Sequence, residues 1–323
     1  LTDLLRGKMK FNGLVVTDAS HMVAMTSAMK RSEMLPTAIA AGSDLFLFFN
    51  DPDEDFQWMM DGYKNGIITD ERLEEALTRI LGTKAALGLH KKAKTEILPQ
   101  KEVAMAKIGL EENKAIAKEV SDKAITLVKN TQDVLPIAPE KTKRVLLVEA
   151  KGFDGGFGKF IEIMGGAKKK PIEIVKELLE AKGFDVEIWE SPIDKIMKLP
   201  KEEMAQALGN VYAGKRPIAE LTSKYDLIIN IANVNASVDQ RLQWPPSKGT
   251  PDIPFYVNEI PTIFISVKCP FHLADVPQVK TYINTYDDNQ QTLEALVEKL
   301  VGNTEFKGIS PVDAFCGFGD TRF

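Results

Sequence analysis

The chain opens on polar and apolar residues in no steady period and then settles into an apolar run, Gly13 to Val16, of the length of a buried strand. The run meets a carboxylate, Asp18, followed by Ala19, Ser20 and His21. A helix is predicted over Ser32–Ala41, with Pro36 entering early, and a second strand-length apolar run spans Asp44–Phe49. After the turn-rich NDPDED stretch, Asn50 to Asp55, a helix is predicted through Phe56, Trp58 and Met59 to Gly62. A longer one follows. Thr69 suits its cap, Asp70 and Glu71 suit its positive start, and Leu73, Leu77, Ile80, Leu81 and Leu87 recur at helical spacing up to Gly88. The order is strand, helix, strand, helix, with too few strands to close a sheet.

From about His90 to Lys107 the chain is charged and contains Pro99, the composition of a linker over a surface. A helix over Glu111–Lys123 then leads into AITLVKN, Ala124 to Asn130. Beyond it strands and helices alternate: strands at Arg144–Ala150, Asp185–Glu190, Asp226–Ala232, Thr262–Val267 and Val279–Tyr286, with helices over Ile172–Ala181, near Glu202–Leu208 and over Thr292–Val301. Short apolar strands between amphipathic helices imply a mainly parallel sheet covered on both faces, an α/β/α sandwich. The organisation predicted is a first block over 1–89, a linker over 90–110 and the sandwich over 111–323.

Composition narrows the partners more than the chemistry. The 323 residues are 44% hydrophobic and 27% charged, ordinary for a globular protein of about two domains. The net charge of −5 offers no blanket attraction to nucleic acid or an anionic membrane, and the longest basic run, Lys168–Lys170, reads as a solvated loop before a helix. No apolar run approaches the roughly 20 residues that span a bilayer. Cys269 and Cys316 are too few and too far apart in sequence for a disulfide framework or a metal cluster. The first residue, Leu1, is not a methionine, so the sequence neither shows nor excludes a signal peptide.

Open parallel sheets place ligands at the carboxyl ends of their strands, which directs attention to the segments that follow them. The glycines of KGFDGGFGKF, Lys151 to Phe160, do not follow the dinucleotide or P-loop spacing and read as a loop. Lys268, Cys269 and His272 follow the Thr262–Val267 strand, but no second histidine or acidic pair accompanies them, and they read as a turn. Asp18 is different, because a carboxylate at the end of a strand is where α/β barrels keep catalytic groups. Asp18 as the cap of a helix starting near Ser20 fits the spacing equally well.

The resemblance of longer segments bears on that choice. LRGKMKFNGLVVTDASHM, Leu5 to Met22, resembles the nucleophile segment of family 3 glycoside hydrolases, in which an arginine-glycine, a phenylalanine-x-glycine and an apolar strand precede a Ser/Thr-Asp. AGSDLFLF resembles the next barrel strand of that family, ITDERLEEALTRILGTKAALGL its closing helix, SDKAITLVKN with VLPI the entry to its sandwich domain, and LADVPQVKTYINTY a late sandwich strand. The Thr-Asp-Ala around the carboxylate is more similar to the β-N-acetylglucosaminidase branch than to the β-glucosidase branch.

The resemblance implies the last strand–helix units of a (β/α)8 TIM barrel followed by the sandwich, with Asp18 as the nucleophile of a retaining hydrolase and His21 and Met22 lining the sugar pocket; a solvent-facing or helix-capping His21 fits its position equally well. It implies a carbohydrate substrate carrying terminal β-linked N-acetylglucosamine, and no metal or organic cofactor. The branch's acid/base, a histidine paired with an aspartate in a Gly-Pro-containing motif on an earlier barrel loop, matches none of His21, His90 or His272. A barrel takes about 250 residues. Most of it is therefore expected to precede Leu1 or to come from another polypeptide, leaving this chain alone inactive. Other readings are a glycoside phosphorylase, a non-catalytic carbohydrate-binding or structural remnant, and a β-glucosidase whose acid/base would be Glu190, Glu220 or Glu259 of the sandwich.

Overall fold

The computed structural model describes residues 1–152, 169–191, 195–196, 198–210, 217–234, 241–244 and 249–323. The glycine-rich loop from Gly152 onward and Lys168 thus lie largely or wholly outside the described residues. The chain divides into two units, Leu1–Ile108 and Gly109–Phe323.

In the first unit a π-helical turn, Thr2–Lys8, leads to strand β1 (Val16–Ala19), a short helix α1 (Val23–Thr26), helix α2 (Arg31–Ala40), strand β2 (Leu45–Leu47) and helices α3 (Pro52–Lys64) and α4 (Asp70–Ala86). β1 and β2 are parallel, with Val16 opposite Leu45 and Ala19 opposite Leu47, so the segments after both strands leave the same edge. The strand lies three residues later than the apolar run suggests, and Val16 is 46% exposed, because a pair of strands cannot bury both faces as a full parallel sheet does. No helix starts at Ser20: α1 is capped by Met22, which removes the helix-cap reading of Asp18.

Helix α3 begins where Asp51 accepts hydrogen bonds from the Asp53 and Glu54 N–H groups, and α4 where Thr69 accepts from Arg72 N–H. Both helix starts follow from sequence chemistry. Pro36 sits inside α2, buried, and Gly62 of α3 packs on it so closely that a Cβ there would lie 2.2 Å from the proline Cβ. The apolar positions of α4 divide: Ala76 is buried and Leu73 and Ile80 are half-buried, whereas Leu77, Leu81 and the adjoining Leu87 are exposed. The charged segment after Gly88, expected to be a linker, contains two short helices, α5 (Lys94–Ile97) and α6 (Lys101–Met105).

The second unit starts with α7 (Glu111–Ala124) and continues through β3 (Thr126–Asn130), β4 (Arg144–Ala150), α8 (Pro171–Ala181), β5 (Asp185–Ile188), α9 (Lys201–Asn210), α10 (Ile218–Lys224), β6 (Leu227–Ala232), β7 (Thr262–Ser266), β8 (Thr281–Asn284) and α11 (Gln290–Leu300). The sheet order is β3-β8-β7-β6-β4-β5, parallel except for the edge strand β3, which runs antiparallel to β8. Helix α10 was not foreseen; Pro217 at its cap followed by an apolar pair is the signal that marks it.

Alternate residues of the central strands feed opposite faces. Val145, Leu147, Ile229, Ile263 and Ile265 pack with Val175 and Leu179 of α8 and Leu293, Leu296 and Leu300 of α11, while Leu146, Val148 and Ile228 pack with Leu221, Tyr225 and Tyr256 on the other side. A parallel sheet covered twice buries its strands completely, and every residue of β6, β7 and β8 is buried. Lys299 is fully buried beneath α11 because its ammonium donates to Asp122 Oδ1 at 2.7 Å and to the Glu305 carbonyl at 2.8 Å. No helix among the described residues is long and apolar enough to cross a membrane.

Candidate functional site

Asp18 is the penultimate residue of β1, exposed, and its Oδ1 accepts the Ala19 N–H at 2.7 Å. Thr17, just before it, accepts the Leu47 N–H through its hydroxyl and donates that hydroxyl to the Asp18 carbonyl at 2.8 Å. The carboxylate is solvent-facing at the carboxyl end of a parallel strand and has no ion pair among the described residues, so it is accessible to a group approaching that end. His21 and Met22 follow in a turn closed by Met22 N–H on the Ala19 carbonyl, and both are exposed.

Behind this turn lies a polar cluster that sequence reading missed. Ser20 is completely buried, its N–H donating to the Phe48 carbonyl at 3.0 Å and its hydroxyl to Asp55 Oδ2 at 2.9 Å. Asp55, buried on α3, also accepts the Asn50 N–H at 3.1 Å and Arg31 Nη2 at 2.5 Å. Arg31 completes the loop by donating from Nη1 to the Ser20 carbonyl at 2.5 Å, and its guanidinium lies 5.5 Å from the centre of the Trp58 ring. One carboxylate therefore ties the segment after β1 to the segment after β2. In the sequence Asp55 is one of four acidic residues in NDPDED, and nothing local singles it out.

At the opposite end of the strands Asp44 serves the same purpose more heavily. Its fully buried carboxylate accepts Val15 N–H at 3.0 Å, Arg6 Nη2 at 2.6 Å, Arg72 Nη2 at 2.5 Å and Arg79 Nη1 at 3.1 Å. Burial pushes both carboxyls upward, but the donors win. Arg72, Val15, Arg6 and Arg79 hold Asp44 below its ordinary value, and Ser20, Asn50 and Arg31 do the same for Asp55. A carboxyl lowered on folding contributes stability that is fully present above its unfolded value, about 3.9, and lost as pH falls through its folded value. Unfolding of the first unit followed by Trp58 fluorescence should therefore show a midpoint that holds from pH 7 to about pH 4 and drops below it. Asp55→Asn should flatten that drop; an unchanged acid limb in the variant would refute the assignment.

A groove in the first unit lies away from Asp18. It has a volume of about 600 Å³ and runs along α4, lined by Asn12, Glu71, Glu74, Glu75, Thr78 and Arg79, at the amino end of β1. A single strand pair has too few loops to wall a pocket at its carboxyl end. In the second unit Glu190 and Glu220 share a depression of about 210 Å³ with Trp189, Lys224 and Tyr225, and Glu190 is exposed and ion-paired with Lys198 at 2.5 Å. Glu259 is exposed elsewhere. Ser266 meets buried His272 Nδ1 at 2.9 Å, and Cys269 is buried with its thiol pushed up by that burial. Among the described residues no group of three His, Cys, Asp or Glu side chains could hold a metal ion.

Residues 1–83 match the model of the glycosyl hydrolase family 3 N terminal domain. Over this segment the chain is similar to family 3 glycoside hydrolases. The whole chain is 39% identical over 326 aligned positions to a beta-N-acetylglucosaminidase/beta-glucosidase of Cellulomonas fimi, of which it covers 53%. Among solved structures, a beta-glucoside phosphorylase, BglX, superposes with a TM-score of 0.78 at 37% identity, over 99% of this chain and 52% of the other. A family 3 beta-N-acetylglucosaminidase from Paenibacillus sp. str. FPU-7 shares the fold, with a TM-score of 0.63 at 22% identity over 96% of this chain and 52% of that one. The chain thus spans about half the length of these relatives.

Proposed function

We propose that the intact protein is a retaining family 3 hydrolase that releases terminal β-linked N-acetylglucosamine from cell-wall fragments or chitin oligosaccharides. Asp18 is the nucleophile. Its carboxylate oxygen bonds to the anomeric carbon as the bond to the aglycone oxygen breaks; that oxygen leaves with the electron pair and takes a proton from the acid/base, which then activates water to release the sugar. The observation that carries the reading is the exposed Asp18 at the carboxyl end of β1, inside the residues that match the family's N terminal domain. His21 and Met22, exposed in the next turn, are assigned to the sugar pocket. The acid/base is assigned to the part of the intact protein outside these 323 residues. No metal or organic cofactor enters this mechanism.

A second reading, phosphorolysis of a β-glucoside, has the support of the 37% identical phosphorylase structure. In it inorganic phosphate replaces water as the acceptor. The two separate when the protein expressed from its whole gene is given 4-nitrophenyl β-N-acetylglucosaminide and 4-nitrophenyl β-glucoside, each with and without phosphate. Faster release from the N-acetylglucosaminide, at a rate independent of phosphate, is the expected outcome. A phosphate-dependent rate with a sugar 1-phosphate as product would replace hydrolysis by phosphorolysis, and sugar binding without turnover would make the protein a binding module.

A further inference from the structure

Asp18 itself makes few contacts that fix it, yet a nucleophile must be held to within a fraction of an ångström of the carbon it attacks. What is fixed is the residue two positions on. All the polar groups of Ser20 are engaged: its N–H by Phe48, its hydroxyl by Asp55 and its carbonyl by Arg31. The partners come from three directions, the segment after β2, helix α3 and the start of α2. Asp55 in turn grips the Asn50 N–H, so the two strand ends share one anchor. On the upstream side, the Thr17 hydroxyl fastens Asp18's carbonyl and the Leu47 N–H. The exposed carboxylate is thereby bracketed between two restrained neighbours.

Stability alone is a poor account of this cluster. Ser20 is 0% and Asp55 2% exposed, and taking an ion pair out of water costs about as much as the pair returns. What such a network supplies is a fixed geometry, because the Ser20 and Asp55 groups and both Arg31 Nη atoms are engaged by one arrangement, with only the buried Arg31 Nε left without a partner among the described residues. We infer that Ser20 and Asp55, with Arg31, are the positioning residues that aim Asp18, acting through the Ala19–Ser20 backbone and touching neither sugar nor leaving group. The inference rests on the reading of Asp18 as nucleophile.

The test uses the protein expressed from its whole gene and a 2,4-dinitrophenyl β-glycoside, whose leaving group needs no proton. Ser20→Ala is expected to lower kcat by about 10- to 100-fold with KM little changed, and Ser20→Thr, which keeps the hydroxyl, to recover most of the loss. The deciding comparison replaces the nucleophile. In Asp18→Gly, added azide takes the place of the carboxylate: its terminal nitrogen bonds to the anomeric carbon as dinitrophenolate departs, giving the glycosyl azide of inverted configuration.

A freely diffusing nucleophile does not need aiming by the protein, so adding Ser20→Ala to Asp18→Gly is expected to leave the azide-dependent rate within about twofold, a double-mutant comparison of the two sites. An equal loss in both backgrounds would mean a merely structural role and overturn the inference. Asp55→Asn, nearly isosteric, provides the same comparison should Ser20→Ala not fold. Asp18→Gly that keeps full activity without azide would instead remove the nucleophile reading, and this one with it.

Discussion

Replacing Asp18 with asparagine is expected to cut turnover of the intact protein by on the order of 10⁴-fold, the scale on which loss of a catalytic nucleophile acts. The amide is the same size and accepts the same Ala19 N–H, so the change removes the charge and the nucleophilic oxygen and little else. An exposed side chain with one local hydrogen bond contributes little to stability, and the variant should melt within about 0.5 kcal/mol of the parent. Sugar affinity should survive, since recognition of the ring does not depend on the attacking oxygen. Turnover that persists at the parental rate would exclude Asp18 as nucleophile. Turnover lost together with cooperative unfolding would show instead that the charge serves the fold.

Asp44→Ala is expected to be the most damaging single change to the first unit, lowering its unfolding free energy by about 3–5 kcal/mol. The wild-type carboxylate is fully buried and is met by Arg6, Arg72 and Arg79, each guanidinium no more than 17% exposed. Glu75 reaches Arg72 at 2.9 Å and Arg79 at 3.6 Å but lies 55% exposed, so it compensates only part of the charge. Truncation therefore leaves three guanidiniums crowded around a cavity with their principal anion gone, and frees the Val15 N–H that pins the start of β1. Urea unfolding followed at Trp58, with Trp189 and Trp244 changed to phenylalanine to silence the second unit, reads the effect directly. A loss below about 1 kcal/mol would mean that the cluster is solvated in practice and that the burial argument is mistaken.

Asp44 and Asp55 also show where sequence reading reaches its limit. AGSDLFLF marks a strand, and Asp44 is visible in it only as a polar residue before an apolar run. The three arginines that give it meaning lie at positions 6, 72 and 79, and no pattern of local period links them. Asp55 sits in an acidic turn where Asp51, the actual helix cap, is the more legible residue. Leu77 and Leu81 show the converse failure: period predicts a buried face, but burial requires a partner surface, and the first unit provides none there.

The sequence by itself determined most of the order of strands and helices, the α/β sandwich with its mainly parallel sheet, the cap at Thr69 and the place of Asp18 at a strand end. These are local quantities, set by apolar period, backbone propensity and side chains that reach their own neighbours. The tertiary structure alone decided that β3 pairs antiparallel with β8, that Ser20 is buried beside an exposed Asp18, and that single carboxylates fasten both ends of the β1–β2 pair. Those features depend on which distant groups share a volume without water, where an unmatched charge is costly and a matched one holds its partners in place.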